Sequence, residues 1–132
     1  MLSSPFSFVR VVSTDDGGTR FVDDAVELTD RGDVGRVSEA WAAGIVALRE
    51  TDDTYDWAPH TAPARQLILL LDGQIEITVA GDGTRETRVF SGGDVLLVED
   101  VTGRGHATRQ LSEGARRSVF VTLPDEVLAR RS

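Results

Sequence analysis

His60 and His106 are the only imidazoles in this chain of 132 residues. Imidazole titrates near neutral pH, so two of them across a cavity can act as general acid and general base. Composition removes several competing chemistries. Cysteine is absent, which excludes disulfides, zinc knuckles, thiol nucleophiles and iron–sulfur clusters. All 14 basic residues are arginine, which excludes a lysine Schiff base. Neither histidine has an obvious serine partner and no G-x-S-x-G elbow occurs, so Ser-His-Asp hydrolysis has no support. The turns Gly81-Asp82-Gly83 and Ser91-Gly92-Gly93 lack the helix and lysine of a phosphate loop.

Other side chains could assist. Tyr55, the only tyrosine, is a candidate proton donor, although packing is the commoner role for such a residue. Arg49 and Arg65 are candidates for gripping a substrate carboxylate through bidentate contacts, against the plainer role of strand arginines facing water. Glu99 and Asp100 form an acidic pair just past an apolar run: a solvated turn is the plainer reading, a contact behind His106 the sharper one. Trp41 and Trp57 suit core or interface packing, with Trp57 also a candidate to touch substrate.

The elements that must position these groups are short. Apolar runs bounded by Gly, Asp, Ser and Thr predict strands at 6–12, 20–22, 25–28, 44–49, 65–71, 74–79, 85–90, 94–98, 106–109 and 117–123. Asp72-Gly73, Gly81-Asp82-Gly83 and Ser91-Gly92-Gly93-Asp94 supply turn residues tolerant of positive φ. Only 38–43, with Ser38 as a cap, and 124–131, with acids early and Arg130 and Arg131 late, read as short peripheral helices. Many short strands with glycine-rich turns in one domain's length indicate a sandwich, jelly roll or barrel, and periodicity does not choose among them.

Two segments bear on that choice. His60-Thr61-Ala62, then Pro63-Ala64-Arg65, Gln66 and six residues to Gly73 resemble the first motif of the cupin superfamily in spacing. Ala62 and Gln66 replace its second histidine and its glutamate. Gly93-Asp94, Val101-Thr102-Gly103, His106 and Gln110 resemble the second motif, with two extra residues before the turn. The run from Trp57 to Gln66 is similar to a subgroup of small single-domain bacterial cupins, and the Arg-only usage suits a GC-rich bacterial genome. The resemblance implies an all-β fold, a double-stranded β-helix or jelly-roll barrel with short peripheral helices, whose core spans about 44–123 of a single domain covering 1–132.

Strand alternation agrees with it. Gln66, Ile68 and Leu70 share one face, and the same parity carried back through Ala62 reaches His60. His106, Thr108 and Gln110 share parity likewise. The resemblance and the residue types together give as the expected site catalytic His60 and His106 assisted by Tyr55, substrate contacts from Gln66, Arg49, Arg65, Thr108 and Trp57, and a divalent metal (Fe, Ni, Mn or Zn) on His60, Gln66 and His106. Gln66 is a neutral ligand where the usual motif has a carboxylate, so a metal-free barrel is the alternative.

The expected function is a small enzyme acting on an organic molecule inside the barrel as an isomerase, cyclase or dehydratase, with a non-catalytic binder and an Fe-dependent dioxygenase as alternatives. A net charge of -8 without a basic run longer than two residues argues against nucleic acid. No stretch reaches the roughly 20 apolar residues of a membrane span, and the start carries no basic leader, so the expected location is the cytoplasm. The resemblance also implies a homodimer, with 6–12 as a possible edge strand.

Overall fold

Alternation is clearest in the hairpin facing the cavity described below, β8 (Gln74–Gly81) with β9 (Thr84–Ser91). Ile75, Ile77 and Val79 point inward and are buried, while Gln74, Glu76 and Thr78 point outward. Asp82 and Gly83 form its two-residue turn, both at positive φ (54° and 79°), as a tight hairpin of this twist demands.

The structure, a computed structural model, describes residues 5–54 and 56–124, with the backbone alone for 56–59. The other strands are β1 (Phe6–Ser13), β2 (Thr19–Val26), β3 (Thr29–Asp30), β4 (Arg36–Val37), β5 (Val46–Thr51), β6 (Asp56–His60), β7 (Gln66–Leu70), β10 (Val95–Val98), β11 (His106–Gln110) and β12 (Arg116–Thr122). A six-stranded sheet in the order β2-β1-β10-β7-β12-β5 faces a four-stranded sheet in the order β6-β11-β8-β9, and β3 and β4 form a small ribbon. The fold is an all-β jelly roll.

Both faces of the large sheet are covered, which explains the unbroken apolar run of β10. Leu96 and Val98 join Val11, Leu70, Ile75 and Ile77 between the sheets. Leu97 points the other way, into a cluster with Phe8, Val26 and Leu123 beneath Trp41. Each such buried side chain contributes about 1.5–3 kcal/mol relative to exposure.

Several expectations need correction. The strands expected at 20–22 and 25–28 are one strand, β2, because Asp23 and Asp24 between them have partners: Asp23 meets Arg88 at 2.7 Å and Asp24 lies 3.7 Å from Arg10. Residues 38–43 form no helix. The Ser38 hydroxyl donates to the Glu39 carbonyl instead of capping a turn, and Trp41 lays the segment over the sheet by an edge contact with Phe8, centroids 6.0 Å apart. A lone helical turn has too few hydrogen bonds to compete with that packing. The only helical turn among the described residues is the 3-10 turn Gly32–Val34. The helix expected at 124–131 lies, beyond Pro124, outside the described residues.

The strand at 6–12 is not an edge: β1 pairs with β2 on one side and runs parallel to β10 on the other. The edge at the far end of that sheet is β5, whose Val46 and Leu48 are exposed. Pro59 hid β6 from sequence reading, since proline cannot donate to a ladder. It is accommodated because β6 is the edge strand of the smaller sheet.

Candidate functional site

His60 ends β6, His106 begins β11, and the two are direct partners in the antiparallel ladder. Residues directly opposite in such a ladder share a face, so both imidazoles turn the same way, their ring centroids 5.1 Å apart. The register shifts between His106 and Thr108: His106 pairs with His60, but Thr108 pairs with Trp57. This bulge places one extra residue in β6 and re-aims the end of the strand.

Close backbone contact sets the spacing. Gly105 has φ of 77°, and a β-carbon there would stand 1.8 Å from the His60 carbonyl oxygen, which only glycine permits. The Thr19 hydroxyl donates to the Gly105 carbonyl at 3.1 Å.

The loop between β10 and β11 holds the partner of His106. Asp100 is fully buried, and its Oδ2 lies 2.5 Å from His106 Nδ1. A carboxylate only accepts, so Nδ1 carries the proton and Nε2 is the nitrogen left for chemistry. The loop is fixed at both ends: the Asp100 carbonyl accepts from the Ala62 amide, and the Arg104 amide donates to the Gly17 carbonyl. Neighbouring Glu99 is buried too and takes a 2.5 Å hydrogen bond from Arg10. The acidic pair is therefore no solvated turn; the sharper expectation, contact behind His106, holds for Asp100.

Both histidines line a cavity of about 190 Å³ between the sheets. Its walls are largely aliphatic, with Ile68, Leu70, Ile75, Ile77, Leu96 and Val98 facing inward. Of the expected site residues, His60, His106, Gln66, Thr108 and Arg49 line this space. Arg65 does not: it precedes Gln66 on β7, so alternation turns it away, and its carbonyl receives the Leu123 amide. Tyr55 and the Trp57 side chain lie outside the described residues.

Sequence reading missed Arg116 and Phe120, which line the cavity from β12. Their shared parity on an inner strand was the available signal. Gln110 holds Arg116 in place: its Oε1 accepts from Arg116 Nε at 3.0 Å, while its Nε2 donates to the carbonyls of Ser112 and Gly114.

The donor set for a metal is two imidazoles and the Gln66 amide; among the described residues no group of three or more His, Cys, Asp or Glu exists. An imidazole whose Nδ1–H meets a carboxylate is arranged as metal-ligating histidines are, through Nε2. A divalent ion held by these three groups would have to draw the rest of its coordination from water or substrate.

No family model matches the chain, and no curated protein matches it. Solved structures do. A 3,4-ketoisomerase from Helicobacter canadensis is 14% identical with a TM-score of 0.47, covering 80% of this chain and 92% of its own. Protein NMB1881 from Neisseria meningitidis is 20% identical with a TM-score of 0.41, covering 67% and 89%. Cobalt(II) HppE in complex with substrate is 17% identical with a TM-score of 0.39, covering 59% of this chain and 43% of its own, so the likeness leaves more than half of that chain unmatched. At these identities the likeness concerns the fold. Among the described residues no helix is long and apolar enough to cross a membrane.

Proposed function

We propose that this chain is a small enzyme that moves protons on an organic molecule held between its sheets, in the manner of an isomerase, cyclase or dehydratase. The carrying observation is the line Asp100, His106, His60: a buried carboxylate on Nδ1 of one imidazole and a second imidazole 5.1 Å beyond it, at the wall of an aliphatic cavity. His106 Nε2 takes a proton from carbon next to a carbonyl, and Asp100 steadies the imidazolium that forms. His60, protonated, gives a proton to the developing oxyanion. With a hydroxy carbonyl compound, His106 then returns its proton to the former carbonyl carbon while His60 takes one from the other hydroxyl of the enediol, which completes an isomerisation and restores both rings. The dry walls strengthen each of these charge interactions.

The test is hydrogen exchange at carbon. Small ketones and keto acids are incubated with protein in deuterium oxide and followed by NMR. Deuterium enters the α-carbon with wild type, and the rate falls by about a hundredfold in His106→Asn and His60→Asn. If every compound stays unlabelled, the chain is a binder of small molecules and the enzymatic reading is lost.

A second reading is favoured by the Asp100–His106 pairing, which suits a metal ligand equally. His60, His106 and Gln66 would hold the divalent ion, which would supply Lewis-acid polarisation or, as iron, oxygen chemistry. Metal analysis of protein purified without chelator decides: stoichiometric iron, nickel, manganese or zinc that is lost in His60→Ala and His106→Ala supports it. The proposal also includes two copies pairing through the open edge of β5, where backbone groups and the apolar Ile45, Val46 and Leu48 are exposed.

A further inference from the structure

The polar groups of the cavity divide into those already engaged within the chain and those that are not. Arg116 gives its Nε to Gln110 at 3.0 Å, and the Arg49 guanidinium carbon lies 5.1 Å from the centroid of the Phe120 ring. Both arginines have further partners as well, so these cations of the lining are engaged. Gln66 and Thr108 differ. Each lines the cavity, they are 9% and 8% exposed, and among the described residues neither side chain makes a hydrogen bond. A buried amide or hydroxyl in that state is costly unless a guest or water completes it.

These two groups stand on opposite sheets around the histidines. Gln66 opens β7 and pairs with Val98, the last residue of β10, two residues before the Asp100 that holds His106. Thr108 lies two residues beyond His106 on the same face of β11, about 7 Å along the strand. Packed sheets stand about 10 Å apart, so a molecule of a few carbons reaches from Gln66 to Thr108 past the imidazoles. The cavity, about 190 Å³, is smaller than the roughly 300 Å³ at which pockets for drug-sized ligands begin. Both groups are neutral, and each donates and accepts: a carboxamide through its nitrogen and its oxygen, a hydroxyl through one oxygen.

We infer that the substrate is a small uncharged hydroxy ketone or hydroxy aldehyde, whose oxygens pair with the Gln66 amide and the Thr108 hydroxyl while its carbon chain lies on the isoleucine and leucine walls. A hydroxyl matches both groups because it too donates and accepts. An acid does not: its carboxylate would shed water against Gln66 and Thr108 without gaining a charge partner there, and Asp100 adds a negative charge at the same end. A plain ketone fits the walls but leaves a polar group without a mate, the situation in which a buried site discriminates most strongly. The inference deepens the proposed proton transfer, rests on the cavity being its site, and makes Gln66 and Thr108 the residues that select the substrate.

The experiment is an NMR titration of the full chain, with chelator present so that no metal-held ligand is read. Hydroxyacetone and acetoin are compared with acetone and butanone, which lack the hydroxyl, and with pyruvate and lactate, which carry the charge. A hydroxy ketone binds about tenfold or more tightly than either control, and Gln66→Met and Thr108→Val each erase the margin over the plain ketone. The two variants keep or raise the melting temperature of the ligand-free protein, because each removes a polar group that has no mate among the described residues. Equal binding of ketone and hydroxy ketone, tighter binding of the acids, no binding of a hydroxy ketone up to about 100 mM, or a margin that persists in both variants overturns the inference. So does a melting temperature well below wild type in both, which would show the two groups serving the fold. Carbon exchange separates this inference from the reading beneath it. A hydroxyl-dependent margin in a protein that exchanges no α-hydrogen keeps the neutral site and removes the proton transfer. Exchange on plain ketones and keto acids with no such margin does the reverse.

Discussion

Gly105 and His60 touch backbone to backbone, with no room between them for a methyl group. This contact sets the separation of the two imidazoles, because Gly105 immediately precedes His106 and His60 is its neighbour across the ladder. Gly105→Ala therefore meets both a left-handed φ and a backbone collision, and should cost at least about 2 kcal/mol. Urea unfolding gives the number. An unchanged midpoint would show that the strands do not approach so closely.

With only two histidines, long-range proton–nitrogen NMR reads each ring separately. At pH 8 His106 should carry its proton on Nδ1, the nitrogen facing Asp100. Asp100→Asn should slow α-carbon exchange by about a hundredfold while leaving the jelly roll folded. An Nε2-protonated His106 in the wild type would refute the arrangement.

Asp16 ties two turns together away from the site. Its carboxylate accepts from the Thr14 hydroxyl at 2.5 Å, from the Gly18 amide and from the Asp82 amide. The Thr14 hydroxyl first, and then the Gly18 amide, hold this carboxyl below the ordinary range. A depressed folded value stabilises above the unfolded value of about 3.9 and loses that contribution as pH falls through the folded one. The stability gap between wild type and Asp16→Asn should therefore be present at pH 7 and shrink below about pH 4 in urea titrations. A gap independent of pH would contradict the hydrogen bonding at this turn.

Leu48 is 83% exposed on the open edge of the larger sheet. Leu48→Glu should convert a dimer into a monomer in light scattering without loss of melting temperature, since the side chain packs on nothing within its own chain. A monomeric wild type would dismiss pairing through this edge.

Sequence alone reached the inner face of the site because strand parity is local: Gln66, Ile68 and Leu70 face inward together, and the two histidines do meet. What it missed depends on tertiary closure. β6 was hidden by Pro59, which is tolerated only at an edge, and the span 38–43 forms no helix because Trp41 finds Phe8. Asp100 reads as a loop acid until the loop folds over the Gly17 turn, and Arg116 reads as a surface arginine until Gln110 claims its Nε. In each case the deciding partner is distant or on another strand, beyond what a sequence window contains.

The alignment of β5 against β12 carries more than stability. β5 has a single neighbour, and its entry is pinned where the Gly44 amide meets the Thr122 carbonyl and the Ile45 amide meets the Thr122 hydroxyl. Were the strand to slide by one residue, every side chain on it would change face, sending Arg49 to solvent and Leu48 into the cavity. Inserting or deleting one residue between that pin and Arg49 would thus turn a charged lining into a greasy one, so ligand preference could change in evolution through a length change at the rim with the histidine pair left in place.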